Sequence, residues 1–162
     1  MKSIIKSTLG LQMTAMFLTA ALAGPAAAEK EVPFKGSVEA VESYDIQFPT
    51  LFVDTTGTGV ATHLGLFTVT WEFTVNLLNG AGIGSAHFIA ANGDSVFTES
   101  LGQGDPTLED PDITRVVETH TITGGTGRFA GATGDFTLER LVNMAGITAG
   151  SFSGTIVFHE AK

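Results

Sequence analysis

The chain contains no cysteine. That excludes disulfides, thiolate metal ligands, cysteine nucleophiles and lipid attachment through sulfur. Positive charge is scarce: 8 Lys and Arg stand against 17 Asp and Glu, for a formal net charge of −9 at pH 7. Such a surface repels phosphate backbones and anionic lipid, which weighs against nucleic acid and anionic membranes as partners. Tryptophan and tyrosine occur once each, too few for the aromatic girdles of a lipid-embedded barrel. Residues 29–162 show no sustained helical spacing of apolar residues. Long apolar runs are missing as well, with one exception at the N-terminus.

That exception follows Lys2 and Lys6. An apolar stretch runs from Leu9 to Leu22, Gly24 and Pro25 interrupt it, and Ala26, Ala27 and Ala28 supply small residues. This order is that of a secretory signal cleaved after Ala28. The run is shorter than the roughly 20 residues of a membrane span; an uncleaved N-terminal anchor helix is the alternative. The expected organisation is a signal peptide over 1–28 and a single domain over 29–162. The domain would be exported to the periplasm or the extracellular space, without membrane insertion after cleavage. Its length suits one core with no covalent staples.

Glycine is abundant, at 20 residues, and β-branched residues fill the stretches between. The clearest rhythm runs from Leu66 to Leu77. Phe67, Val69, Trp71, Phe73 and Val75 alternate with Thr68, Thr70, Glu72, Thr74 and Asn76. A period of two marks a strand with one buried face. Phe34, Gly36, Val38 and Ala40 repeat it, as do Phe136 and Leu138, and Phe152, Gly154, Ile156 and Phe158. Asn79-Gly80 and Asn92-Gly93 read as type I′ hairpin turns, and Gly57 and Gly59 as a break between strands. The expected strands are 33–42, 45–53, 58–64, 66–77, 82–91, 94–102, 113–123, 134–142 and 150–159, some adjacent pairs being one bent strand. Hairpin-spaced strands with one apolar face form a sandwich or a closed barrel. Closure removes exposed edges, and about eight strands leave room for side chains or one small ligand.

The segment Gly124-Gly125-Thr126-Gly127-Arg128-Phe129 is the most distinctive. A strand ends before it, the glycines permit a tight reversal, and Phe129 is placed to plug one barrel end. It is no phosphate loop, since no Gly-Lys-Ser/Thr and no helix pattern follow. It resembles the corresponding segment of dirigent proteins and allene oxide cyclases. Gly59 to Gly65 and the strand Phe152 to Phe158 look like a bacterial, exported branch of the same superfamily. The resemblance covers Phe34 to Phe158. It implies an all-β fold, a closed antiparallel barrel of about eight strands related to the lipocalins, behind a signal-peptide helix. The plant families act on hydrophobic substrates inside the barrel; none of their catalytic residues is carried over here.

Polar residues on apolar strand faces are the candidates for chemistry. Glu99 shares a face with Phe97 and Leu101, Arg140 with Phe136 and Leu138, and Glu118 and His120 with Val116 and Ile122. A buried unpaired charge costs several kcal/mol or more, so such groups pair, sit near the mouth, or bind something. In the functional reading Arg140 clamps a carboxylate or enolate oxygen. Glu99 or Glu118 accepts a proton and His120 relays it, while Trp71, Phe97, Phe136 and Phe152 form the apolar wall. The plainer reading is a satisfied Glu–Arg pair, or a bulge that turns these groups to solvent.

His63, His87, His120 and His159 are dispersed and lack zinc spacing. The acidic stretch Gly104 to Asp112 lacks the spacing of a calcium hand and reads as a solvated loop. No metal, no cofactor and no Ser-His-Asp pattern is implied. Three functions stay open: an exported barrel binding a small hydrophobic molecule, an interaction barrel with a solid core, and an isomerase or cyclase. Cavity size separates the second from the others, and the position of Arg140 relative to that cavity bears on the third.

Overall fold

The computed structural model describes residues 30–158. The signal segment 1–28, its cleavage point and His159 lie outside them. Eight strands follow one another: β1 (Lys30–Gln47), β2 (Thr50–Ala61), β3 (Gly65–Asn76), β4 (Ala81–Ala90), β5 (Ser95–Pro106), β6 (Ile113–Gly125), β7 (Thr133–Asn143) and β8 (Ile147–Phe158). Each pairs antiparallel with the next, and β8 pairs with β1 to close the barrel. The all-β closed antiparallel barrel of about eight strands expected from the sequence is the observed one.

Several boundaries differ from expectation; β5 runs on to Pro106, so Gly104 to Pro106 are strand and the acidic loop shrinks to 107–112. The segments 33–42 and 45–53 are not separate strands; β1 runs unbroken to Gln47 and the chain reverses at Phe48-Pro49. Gly57 and Gly59 lie inside β2 rather than in a break. Their role is spatial. Gly59 pairs with Phe67, and a Cβ there would strike that ring. The same fit recurs around the barrel: Phe152 lies opposite Gly36, and Gly154 lies between Phe34 and Phe136. A Cβ on Gly36 would stand 2.6 Å from Phe152 Cζ. Small residues beside large ones let a narrow barrel hold many rings. The turns at 79–80 and 92–93 occur where expected but are not type I′. Gly80 and Gly93 have positive φ, whereas His63 is the one non-glycine residue with positive φ among the described residues. Asn92 keeps ordinary φ and instead accepts a hydrogen bond from Asp94 N at 3.2 Å.

The interior is divided along the barrel axis. At the base, where β2 meets β3, β4 meets β5 and β6 meets β7, Phe129 sits fully buried with Leu64 and Ala132. Its ring lies 5.8 Å from that of Phe158. Above the base, Phe34, Phe67, Phe88, Phe136 and Phe152 form a continuous ring cluster, with centroids 4.9 to 6.3 Å apart. Such edge-to-face packing adds to the burial of apolar area. The opposite end carries the turns at 48–49, 77–80 and 144–146 and the loop 107–112, and it is open.

Candidate functional site

The two-residue rhythm of β1 continues past Ala40 to Glu42, so this carboxylate points inward with Val38 and Ala40. Glu118 on β6 and Arg140 on β7 are inward for the same reason, at 1% and 6% exposure. The register sets Val116 opposite Arg140 and Glu118 opposite Leu138, a stagger that lets the guanidinium reach between two carboxylates. Arg140 Nε and Nη2 donate to Glu118 Oε1 at 3.2 and 2.8 Å. Arg140 Nη1 donates to Glu42 Oε1 and, at 3.2 Å, to Thr148 Oγ1. The Tyr44 hydroxyl donates to Glu42 Oε2 at 2.7 Å. Glu118 Oε2 lies 3.4 Å from His120 Nε2, and His120 Nδ1 lies 3.0 Å from Thr98 Oγ1. A polar chain thus runs from half-exposed Tyr44 to the barrel centre. It is framed by rings: Trp71 lies against the Arg140 guanidinium at 5.5 Å, and Phe136 stacks on His120 at 4.7 Å.

Burial alone would push the Glu118 carboxyl up. The His120 hydrogen bond and the Arg140 charge and hydrogen bonds outweigh it and hold the group below the usual carboxylate range. Arg140 likewise loses to burial but gains more from the charges of Glu118 and Glu42, so it stays charged. Tyr44 is pushed up, first by burial, then by its hydrogen bond to Glu42 and that residue's charge, against an opposing effect of Arg140. The sign for Glu118 follows from linkage: a lowered folded value gives stability that is complete above the unfolded value. That stability is lost as pH falls through the folded one. Urea midpoints are therefore expected to fall on acidification below roughly pH 4. In Glu118→Gln that fall should be shallower, and an unchanged slope would place the acid sensitivity elsewhere.

Above this chain lies the open end, a cavity of about 720 Å³ with Glu42, Glu118 and Arg140 at its floor. Leu51, Val53, Phe73, Val75, Val116 and Val142 wall it. At the rim, Ile46, Leu78 and Met144 are strongly exposed.

The expected residues divide three ways. Glu118, His120 and Arg140 converge. Trp71, Phe136 and Phe152 point inward but fill the packed part below the cavity. Phe97 and Glu99 lie on the outer wall, Phe97 at 38% exposure against the His87 ring. The face of β5 read from the sequence was one residue out of register. Its inward residues are Val96, Thr98 and Ser100, small because His120 and the large rings occupy the space beside them. Glu42, Tyr44 and the Leu51–Phe73–Val75 wall went unread. Glu42 was legible as the next step of the β1 rhythm.

A solved structure aligns over most of the chain. It is that of a pterocarpan synthase dirigent protein, matched at a TM-score of 0.61 and 11% identity over 86% of this chain and 91% of that one. The barrel is dirigent-like. At that identity the likeness speaks for the fold and not for the activity. No family model matches the chain, and no curated protein does. Among the described residues, no helix is long and apolar enough to cross a membrane.

Proposed function

We propose that the chain is an exported dirigent-like barrel that binds one small hydrophobic molecule in its open end. A single observation carries this reading. The interior is packed solid at the base yet opens into a cavity of about 720 Å³, apolar-walled and ending on a buried, hydrogen-bonded charged floor. That size lies within the roughly 300–1,000 Å³ of ligand pockets, and few convergent polar groups on apolar walls is their usual character. Export is inferred from the Lys2 to Ala28 pattern, kinship with allene oxide cyclases from the Gly-Gly-Thr-Gly-Arg-Phe turn, and the bacterial branch from Gly59 to Gly65 and the strand Phe152 to Phe158. Insertion in lipid is disfavoured by the outer wall. There Asp54, Glu72, Ser85 and Glu99 stand side by side across β2 to β5, where lipid-facing carboxylates would be costly. Neither a cofactor nor nucleic acid belongs to this reading.

A second reading, an isomerase or cyclase, draws on the Tyr44–Glu42–Arg140–Glu118 chain at the cavity floor, which can hold or pass a proton at a bound molecule. Native mass spectrometry of protein from its own host, with extraction of the retained molecule, tests binding. Incubating that molecule with the protein tests turnover, since a binder returns it unchanged. A neutral fluorescent naphthalene probe should saturate at one equivalent. Val75→Trp, which places a ring in the wall, should abolish that signal while the β circular-dichroism spectrum persists. Equal affinity in the variant would put the probe elsewhere.

A further inference from the structure

We infer that the ligand of the open end is an amphipathic cation, an organic ammonium on an apolar body; this deepens the binding reading and rests on it. The anion-binding group one would look to is Arg140, and its N–H groups are already given to Glu118, Glu42 and Thr148, nearly all that a guanidinium has. Thr148 in turn donates its own hydroxyl proton to Leu141 O at 2.9 Å, and Tyr44 gives its proton to Glu42. A ligand carboxylate arriving at this floor would have to displace an intramolecular glutamate from a buried ion pair, which costs several kcal/mol.

Glu42, Glu118, Asp105 and Asp112 all line the cavity, and Arg140 is the one Lys or Arg among its lining residues. The closest other cation along the strands is Arg115, opposite Asp105 in the β5–β6 register. It is bound at 2.8 Å to Glu139, an exposed pair on the outer wall. From Lys35 to Arg115 the sequence has no lysine or arginine between, so β2 to β5 add none. Two carboxylates share one guanidinium at the floor, with His120 Nε2 3.4 Å from Glu118 Oε2. Asp105 and Asp112, exposed at the rim, extend the same sign outward. A cleft of one sign with low-dielectric walls focuses its field and concentrates counter-charged molecules.

Leu51, Val53 and Val75 offer aliphatic surface for a chain or ring, and Phe73 adds an aromatic face that tolerates a nearby cation. An inorganic cation would leave that surface wet. A molecule with an apolar body and an ammonium drawn to the Glu42 end of the floor and to Asp105 and Asp112 at the rim uses both parts.

The test is a matched series of octanol, octylammonium and octanoate, each competing with the naphthalene probe in purified protein at low salt. Octylammonium is expected to bind roughly tenfold or more tighter than octanol, and octanoate to bind weakest. The ammonium advantage should shrink in Glu42→Gln and in the rim variant Asp105→Asn with Asp112→Asn. The rim variant leaves the core intact and decides the matter should Glu42→Gln fail to fold. Octanoate binding as tightly as octylammonium would overturn the charge assignment while leaving the binding site standing. An unchanged ammonium advantage in the rim variant and in folded Glu42→Gln would also overturn it. Failure of the probe and of all three octyl compounds to bind would instead overturn the binding reading itself.

Discussion

Arg140→Met is expected to destabilise the barrel by about 3–5 kcal/mol, read as a lower urea midpoint at pH 7. The methionine has nearly the right length but leaves Glu42 and Glu118 buried with no cation between them. At 8% and 1% exposure both carboxylates meet little water at the cavity floor. The cost is that of stranding charges, and not that of losing a favourable pair. A triple variant, Arg140→Met with Glu42→Gln and Glu118→Gln, should therefore recover part of the loss. That recovery is the non-additivity expected of groups in one network. A penalty under about 1 kcal/mol for Arg140→Met would show that water reaches this floor freely, and the buried network would have to be abandoned.

Phe136→Ala should cost a similar amount, about 3–5 kcal/mol. The ring touches three others and stacks on His120. Its cross-strand neighbour on β8 is Gly154, which has no side chain to move into the gap. Where neighbours cannot collapse, the cavity term is added in full to the lost transfer energy. Phe97→Ala on the outer wall is the control, expected to change stability by no more than about 0.5–1 kcal/mol. Equal penalties at the two positions would contradict the division of β5 and β7 into the inward and outward faces described above.

These two phenylalanines also show how far the sequence could be read. Phe136 lies in a run whose alternation is regular, so its face was legible. Phe97 lies in Val96-Phe97-Thr98-Glu99-Ser100-Leu101, where both faces offer apolar residues. Hydrophobicity favours the wrong one, because the inward positions must be small. The space beside His120 and Trp71 decides that, and such space exists only once β5 is set between β4 and β6. Close to that point the β5–β6 register slips, between Phe97 and Thr98, which a pattern of period two cannot anticipate. Glu42 is the converse case: the rhythm of β1 already pointed to it, and the expected strand merely stopped there.

From the sequence alone came the strand rhythm, the Phe129 plug and the pairing need of Glu118 and Arg140. These follow from local rules, since alternation and burial cost act at each residue wherever the strand lies. Which end stays open, which wall lines it and how many carboxylates share one guanidinium were decided only by closure of β8 on β1. Closure brings Glu42 to Arg140 across 98 positions of the chain. No local rule carries that distance, because the meeting depends on the stagger of every strand between them.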